Sequence, residues 1–289
     1  MMSNCLQNQK YIKKWLIFVL IALLIWACLI EPRWVAHREI SLTGTGLASP
    51  SMHGLKVVLT SDWHLSKKSL WRVMTIARAQ KIVADINASQ PDVIIIAGDL
   101  IADRDYKPTI AATAPQEIAQ VLGGLKAKYG VYATLGNHDW WFDGDAFTQA
   151  LQAKGITVLE NKSLKINGLD LWLTGIGDAL TTHHKPIQAL QGLPPNAPAI
   201  IAMHDPGTLK QIAASWHNPN AIFMAGHTHG GQVYLPFIGA PVVPGTAPRM
   251  WAYGWVQHAG KRMYVTSGLG VSILPIRFNM RPEWVTFTL

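Results

Sequence analysis

From residue 55 onward, short apolar runs recur along the chain, most of them bounded by glycine, proline, asparagine or aspartate. They are "LKVVLTS" (55–61), "DVIIIAG" (92–98), "GVYATLG" (130–136), "LWLTGIG" (171–177), "PAIIAMH" (198–204), "AIFMAG" (221–226) and "RMYVTSG" (262–268). Their length and β-branched content predict strands, and their near-continuous apolarity predicts burial on both faces. Between them, residues 70–89, 115–128 and 145–154 carry helix-like patterns. Strands alternating with helices predict a layered α/β domain. The later half has fewer helical stretches and more Gly/Pro turns, which predicts a second, more antiparallel sheet there. No solenoid-type repeat is present.

One apolar run stands apart. Residues 15–30, "WLIFVLIALLIWACLI", are uncharged. As a helix they would rise about 24 Å, slightly short of the roughly 30 Å hydrocarbon core of a bilayer. Tyr11, Trp15 and Trp34 are placed to sit at the two interfaces. A run apolar on all faces at a chain terminus does not suit a buried core helix. A cleaved signal peptide lacks its small-x-small site before "EPRW", and a lipoprotein signal at "IWAC" has the bulky Trp26 where a small residue belongs. The expectation is an uncleaved single-pass anchor. Lys10, Lys13 and Lys14 precede it, against Arg33 and Arg38 after it. The positive-inside rule then puts the large domain outside the inner (cytoplasmic) membrane. The chain divides into an anchor and juxtamembrane segment (1–40), a Ser/Thr/Gly/Pro-rich linker (41–54) and one domain (55–289).

Composition narrows the function classes. With 289 residues, 49% of them hydrophobic and only 15% charged, the chain builds a real core and is neither disordered nor a coiled coil. The net charge of +8 suits an anionic substrate or membrane surface. No Arg/Lys stripe or RNA-binding motif predicts specific nucleic-acid binding. Both cysteines, Cys5 and Cys28, precede the domain, which excludes a disulfide framework and a thiolate metal site.

The strand ends carry the chemistry. "VVLTS" ends in "DWH", "VIIIA" in "GDL", "VYATL" in "GNHD", "AIIAM" in "HDP" and "AIFMA" in "GHTHGG". Ligand sites of α/β sheets gather at the carboxyl ends of strands. One such ending would be uninformative; five with metal-binding side chains form a constellation.

In this order the endings resemble the D-x-H, G-D, G-N-H-D/E, lone His and G-H-x-H signature of the calcineurin-like metallophosphoesterases. The match runs from Asp62 to His229. A looser likeness to the small membrane-associated bacterial phosphodiesterase branch extends from Glu31 to the C-terminus, through "GNHDWW", "AGHTHGGQ" and "LPIRFNMRPEW". The resemblance implies a four-layer αββα sandwich of two mixed sheets flanked by helices. It also implies two divalent ions of the Mn²⁺, Fe²⁺ or Zn²⁺ kind, which suit mixed oxygen and nitrogen donors. Asp62, His64 and His229 would hold the first, Asn137, His204 and His227 the second, with Asp99 bridging. Such a pair, about 3.5–4 Å apart, generates a metal-bound hydroxide that attacks a phosphodiester, phosphomonoester or pyrophosphate in line. His138 would face the substrate and protonate the leaving oxygen, oriented by Asp103 or Asp139, although the spacing of Asp103 departs from the "GDxxDR" pattern.

The implied partners are a small-molecule or lipid phosphoester and, through the helix, the membrane. Relatives of this kind include general phosphodiesterases and the UDP-2,3-diacylglucosamine pyrophosphatases of lipid A synthesis. A non-catalytic, membrane-tethered binding module would show loss of a ligand or of His138, and all eight positions are intact.

Two histidines one residue apart in an extended strand would point to one face. His227 and His229 therefore have to diverge at the strand end, where Gly226, Gly230 and Gly231 let the chain turn. Asp178 in "GIGD" fits either a site position or a turn. His183 and His184 line a pocket or are solvated, and His37, His53, His217 and His258 have no motif around them. Trp140, Trp141 and Phe142 form an apolar wall beside His138 or pack beneath the loop. The Pro/Gly-rich stretch 235–254 suits a rim or lid, its apolar content fitting membrane contact, an acyl substrate or plain packing. Arg249 and Arg277 are candidates for binding a substrate phosphate.

Overall fold

The computed structural model describes residues 2–42, 52–65, 73–102, 115–212 and 216–289. Among the described residues, twelve strands form two six-stranded mixed sheets. The first has the order β1 (Ala36–Ser41), β12 (Glu283–Thr288), β2 (Lys56–Thr60), β3 (Val93–Ala97), β4 (Val131–Thr134) and β5 (Ile156–Val158). The second runs β10 (Gly254–His258), β11 (Lys261–Val265), β9 (Ala221–Ala225), β8 (Ala199–Met203), β7 (Trp172–Ile176) and β6 (Lys162–Lys165).

The inner faces pack on each other: Val57, Leu59 and Ile95 of the first sheet share one core with Ile200, Ile222 and Met224 of the second. The alternate residues Val58, Ile94 and Ile96 face α2 (Ile76–Ala88), α3 (Pro115–Leu122) and α4 (Asn137–Gln152). Ile201, Met203 and Phe223 face α5 (Pro186–Gln191) and the turn Pro206–Lys210. This is the expected αββα sandwich, with a thinner outer layer over the second sheet. Burial on both faces explains why these strands read as continuous apolar runs.

All seven apolar runs are strands, and the second sheet is the more antiparallel of the two, with two antiparallel pairings against one in the first. Its central strands β7, β8, β9 and β11 are parallel, and only the edges β6 and β10 pair antiparallel. Pairing direction depends on how the connections cross the sheet, which the apolar pattern does not carry. The strand β1 pairs in parallel with β12, so the sheet takes up residues assigned to the juxtamembrane segment and the linker. Its exposed, polar alternation gave no strand signal.

The stretch α4 is two helical segments joined at a kink at the non-helical Asp143: the second follows the expected apolar pattern, and the first, without such a pattern, carries Asn137 and His138 in its opening turn. Asp139 supports this start by accepting from the Gly136 N–H at 2.9 Å. Before the domain, α1 (Met2–Ile25) continues through Trp26–Ile30 into a turn at Glu31–Arg33. Among the described residues this is the one helix long and apolar enough to cross a membrane.

Candidate dinuclear metal centre

The loops after β2, β3 and β4 in one sheet and after β8 and β9 in the other open on the same edge of the sandwich. They bring seven titratable or amide side chains together, all nearly inaccessible: Asp62, His64, Asp99, Asn137, His204, His227 and His229.

The arrangement has two halves. In one, His64 Nε2 lies 3.0 Å from His229 Nε2, and Asp62 Oδ1 lies 3.5 Å from His229 Nε2. In the other, His204 Nε2 lies 3.0 Å from His227 Nδ1. Asp99 Oδ2 is common to both, 3.4 Å from His64 Nε2 and 3.2 Å from His204 Nε2. The other oxygen, Oδ1, accepts from the His138 N–H at 2.9 Å, which fixes the carboxylate plane. Imidazole nitrogens bonded to one cation at about 2.0–2.1 Å come to lie about 3 Å apart when neighbouring each other in its coordination shell.

The donors fit cations on independent grounds. Burial pushes His64 down to about 3 and His227 down to about 4. Burial, with His64 and Arg277 adding to it, holds His229 well below the ordinary range. These rings are therefore neutral near pH 7, with lone pairs available, the form that metal ligation requires. His204 donates Nδ1–H to the Ala97 carbonyl at 2.7 Å, which orients its Nε2 inward. Asn137 Oδ1 is buried without a hydrogen-bond partner among the described residues, as expected of an amide oxygen reserved for a ligand. Burial raises Asp62 to about 6, with the charge of His204 opposing and that of Asp99 adding to the shift.

The backbone supplies the aim. Asp62, His64, Asp99, His227 and His229 all have φ between 44° and 68°, the left-handed region that L-residues avoid. Each costs about 1–2 kcal/mol, a price in local stability borne at strand ends where side chains must leave the pleat. Here lies the answer for the histidine pair. Neither His227 nor His229 is extended, and two successive left-handed turns send one toward His204 and the other toward His64. At Gly226 a Cβ would collide with Ser61 Oγ and Asp62 Oδ2, and at Gly136 with Asp99 Oδ1, so both positions admit only glycine.

His138 lies beside the first half, its ring edge-on to His64 at 4.7 Å between centroids. Its Nδ1 lies 3.0 Å from the Ala102 carbonyl. Asp139 instead accepts from Leu100, Ile101 and Gly136 N–H groups, tying α4 to the Asp99 loop. Asp103 lies outside the described residues.

Arg277 does not reach substrate. It is fully buried, and its guanidinium donates to carbonyls of Ser267, Gly268, Gly270 and Met280, so it fastens the loops beneath His229. Arg249 donates to Ala240 O and lines a separate surface cavity with Tyr234 and Met250. Of the aromatic trio, Trp141 is exposed 5.4 Å from the His138 ring, Trp140 stacks on His183 and Phe142 packs in the core. His184 pairs with Thr208 Oγ1, and His37 stacks on Trp284.

Three further carboxylates, Asp178 and Asp205 buried and Glu160 half-buried, stand out. Asp178 is fully buried and accepts from Leu180 N–H, so both suggested readings meet in one turn residue. Two others have no counterpart in the motifs. Asp205 holds Thr246 through its backbone N–H and Oγ1, which draws Gly245 against the His227 ring. Its position beside the candidate ligand His204, in the strand ending "HDP", was the signal available for it. Glu160 follows β5 and accepts from Leu135 N–H at 2.8 Å.

Burial, with Asp178 adding repulsion, raises Glu160 from 4.5 to about 7. Its folded value exceeds its unfolded one, so the native state binds the extra proton between about pH 4.5 and 7, and stability falls as pH rises through that window. Glu160→Gln keeps the Leu135 acceptor and removes this titration. The variant is expected to match wild-type stability near pH 4.5 and to exceed it by about 1–3 kcal/mol at pH 8. Thermal denaturation at the two pH values checks this; an equal offset at both would contradict it.

Comparison with known proteins agrees with this geometry. The family model of the calcineurin-like phosphoesterases matches residues 55–231, more than half of the chain. The uncharacterized metallophosphoesterase YkuE of Bacillus subtilis is 30% identical over 268 residues, covering 91% of this chain and 88% of its own. Phosphodiesterase YaeI of Escherichia coli is 27% identical over 261 residues, covering 88% and 87%. A transmembrane protein with metallophosphoesterase domain from Danio rerio is 31% identical over 259 residues, and there the match covers 83% of this chain but only 54% of the relative. With its strand-end motifs gathered at one edge of the sandwich and a family match across that same region, the chain belongs to the calcineurin-like phosphoesterases.

Proposed function

We propose that the protein is a membrane-anchored phosphodiesterase that works with two divalent cations. The observation that carries this reading is the single oxygen, Asp99 Oδ2, within 3.4 Å of imidazoles from both halves of the site. Asp62, His64 and His229 would hold one ion and Asn137, His204 and His227 the other, with Asp99 shared. When bound, the ions supply Lewis acidity toward phosphoryl oxygens and lower the pKa of water so that a nucleophile exists near neutral pH.

The chain's own residues do the rest. Burial excludes bulk water and keeps His64, His227 and His229 neutral near pH 7. His138 gives Nδ1–H to the Ala102 carbonyl, which leaves Nε2 to carry the proton that the leaving oxygen takes up as its bond to phosphorus breaks. Trp141, beside that ring, offers a face for the substrate's leaving portion. The helix spanning Lys10–Arg33, long, apolar and mostly exposed, supports the anchor, as does the name of the Danio rerio relative. The lysines before it favour an extracytoplasmic domain.

The test is hydrolysis of bis-p-nitrophenyl phosphate by the purified full chain. A chelator is expected to abolish turnover and added Mn²⁺ to restore it. Turnover that survives chelation would overturn the metal mechanism.

A further inference from the structure

A groove of about 310 Å³ opens beside His229. One wall comes from Pro241, Val242 and Pro244, the other from Ile273, Leu274 and Ile276, with Thr228 and His229 at its base. Val242 is 74% exposed and Ile273 is 88% exposed, so the groove's lips are apolar and open to the surroundings. Solvent-facing apolar side chains gathered in this way mark a surface that meets something other than water.

The second wall is fastened to the end of the apolar helix. The residue after Ile276 is Arg277, whose N–H donates to the Ala27 carbonyl at 2.9 Å. Three residues later Met280 N–H donates to the buried Glu31 carboxylate at 2.5 Å. The Arg281 guanidinium then lies 3.8 Å over the Trp34 ring and donates to the Trp34 carbonyl. Trp26, edge-on to Trp34, donates to Glu31 as well. Tryptophan and arginine in such a cluster are side chains that settle at a membrane–water boundary. The same short loop therefore joins the exit of the apolar helix to the wall of a groove that ends at a candidate metal ligand.

We infer that this groove holds an alkyl chain of the substrate, and that the substrate is a lipid phosphoester drawn from the bilayer in which the helix sits. The inference rests on the phosphoesterase reading and narrows it to one class of ester. A lipid approaching from the membrane keeps its chain in apolar surroundings while its phosphate reaches the cluster at His229. The Pro/Gly-rich segment supplies the facing wall, held in place where Asp205 binds Thr246.

The experiment uses the full chain held in amphipol with Mn²⁺, which avoids detergent competing for the groove. Hydrolysis of methyl, butyl and octyl p-nitrophenyl phosphate is measured as kcat/KM, and binding of methyl and octyl phosphate by equilibrium dialysis. Burial of each methylene is expected to raise kcat/KM and affinity, by at most about fourfold per carbon until the groove is filled. Leu274→Asp and Val242→Asp change side chains that are already largely exposed, and each is expected to flatten this dependence on chain length. Methyl and octyl esters hydrolysed and bound alike would overturn the groove while leaving the phosphoesterase reading intact. So would a dependence on length that persists undiminished in both variants. Binding that favours octyl phosphate without turnover of any ester would leave the groove standing and overturn the reading of the activity.

Discussion

Asp99→Asn is expected to lower metal-dependent phosphodiester hydrolysis by at least about 10³-fold, since loss of a mere supporting partner of a metal ligand already costs about 10–100-fold. The substitution is nearly isosteric. An asparagine carbonyl can still accept from the His138 N–H, as Oδ1 now does, so the helix start is preserved. What changes is the atom facing both halves of the cluster. An amide –NH₂ in place of Oδ2 has no lone pair to share and no charge to offset two cations. Bound metal, measured by plasma mass spectrometry on protein purified with Mn²⁺, is expected to fall from two ions per chain to one or none. Retention of both ions and of the rate would remove Asp99 from the position proposed for it.

His138→Ala is expected to lower kcat by about 10²–10⁴-fold, the usual size of a general-acid contribution, with two ions still bound. His138 forms the edge of the cluster, and its Nδ1 is already committed to Ala102, so its removal leaves the other donor contacts in place. The loss should depend on the leaving group. A p-nitrophenolate departs without a proton and an alkoxide does not, so the variant's deficit is expected to be larger for alkyl leaving groups. An equal deficit for both, or loss of metal, would point to a structural part for His138 instead. Rates of a bis-p-nitrophenyl and an alkyl diester, with metal content measured alongside, distinguish these outcomes.

Much of the architecture was legible because the central strands of both sheets are buried on both faces. That produces continuous apolar runs such as "VIIIA" and "AIIAM", whose ends mark the site. The strands at the sheet edges were not legible. The polar "AHREIS" of β1 and the short β5 and β6 carry too little pattern to mark them as strands. The helical segment before the kink at Asp143 was obscured because its first turn carries the candidate site residues Asn137 and His138 instead of an amphipathic repeat. The supporting carboxylates Asp205 and Glu160 were missed for a similar reason: their work is to hold backbone N–H groups brought near by folding.

By itself the sequence determined the layered α/β class, the five strand ends and the donor types they carry, since those follow from residue identity and local periodicity. Only the tertiary structure showed how these side chains are aimed at one another, because that depends on left-handed turns at Asp62, His64, Asp99, His227 and His229 that no composition encodes. It also reassigned Arg277 from substrate to scaffold and Asp139 from His138 to the helix start. A charged side chain's role is set by which carbonyls and N–H groups the fold has left without partners around it, and those groups come together only when distant loops close on one edge of two packed sheets.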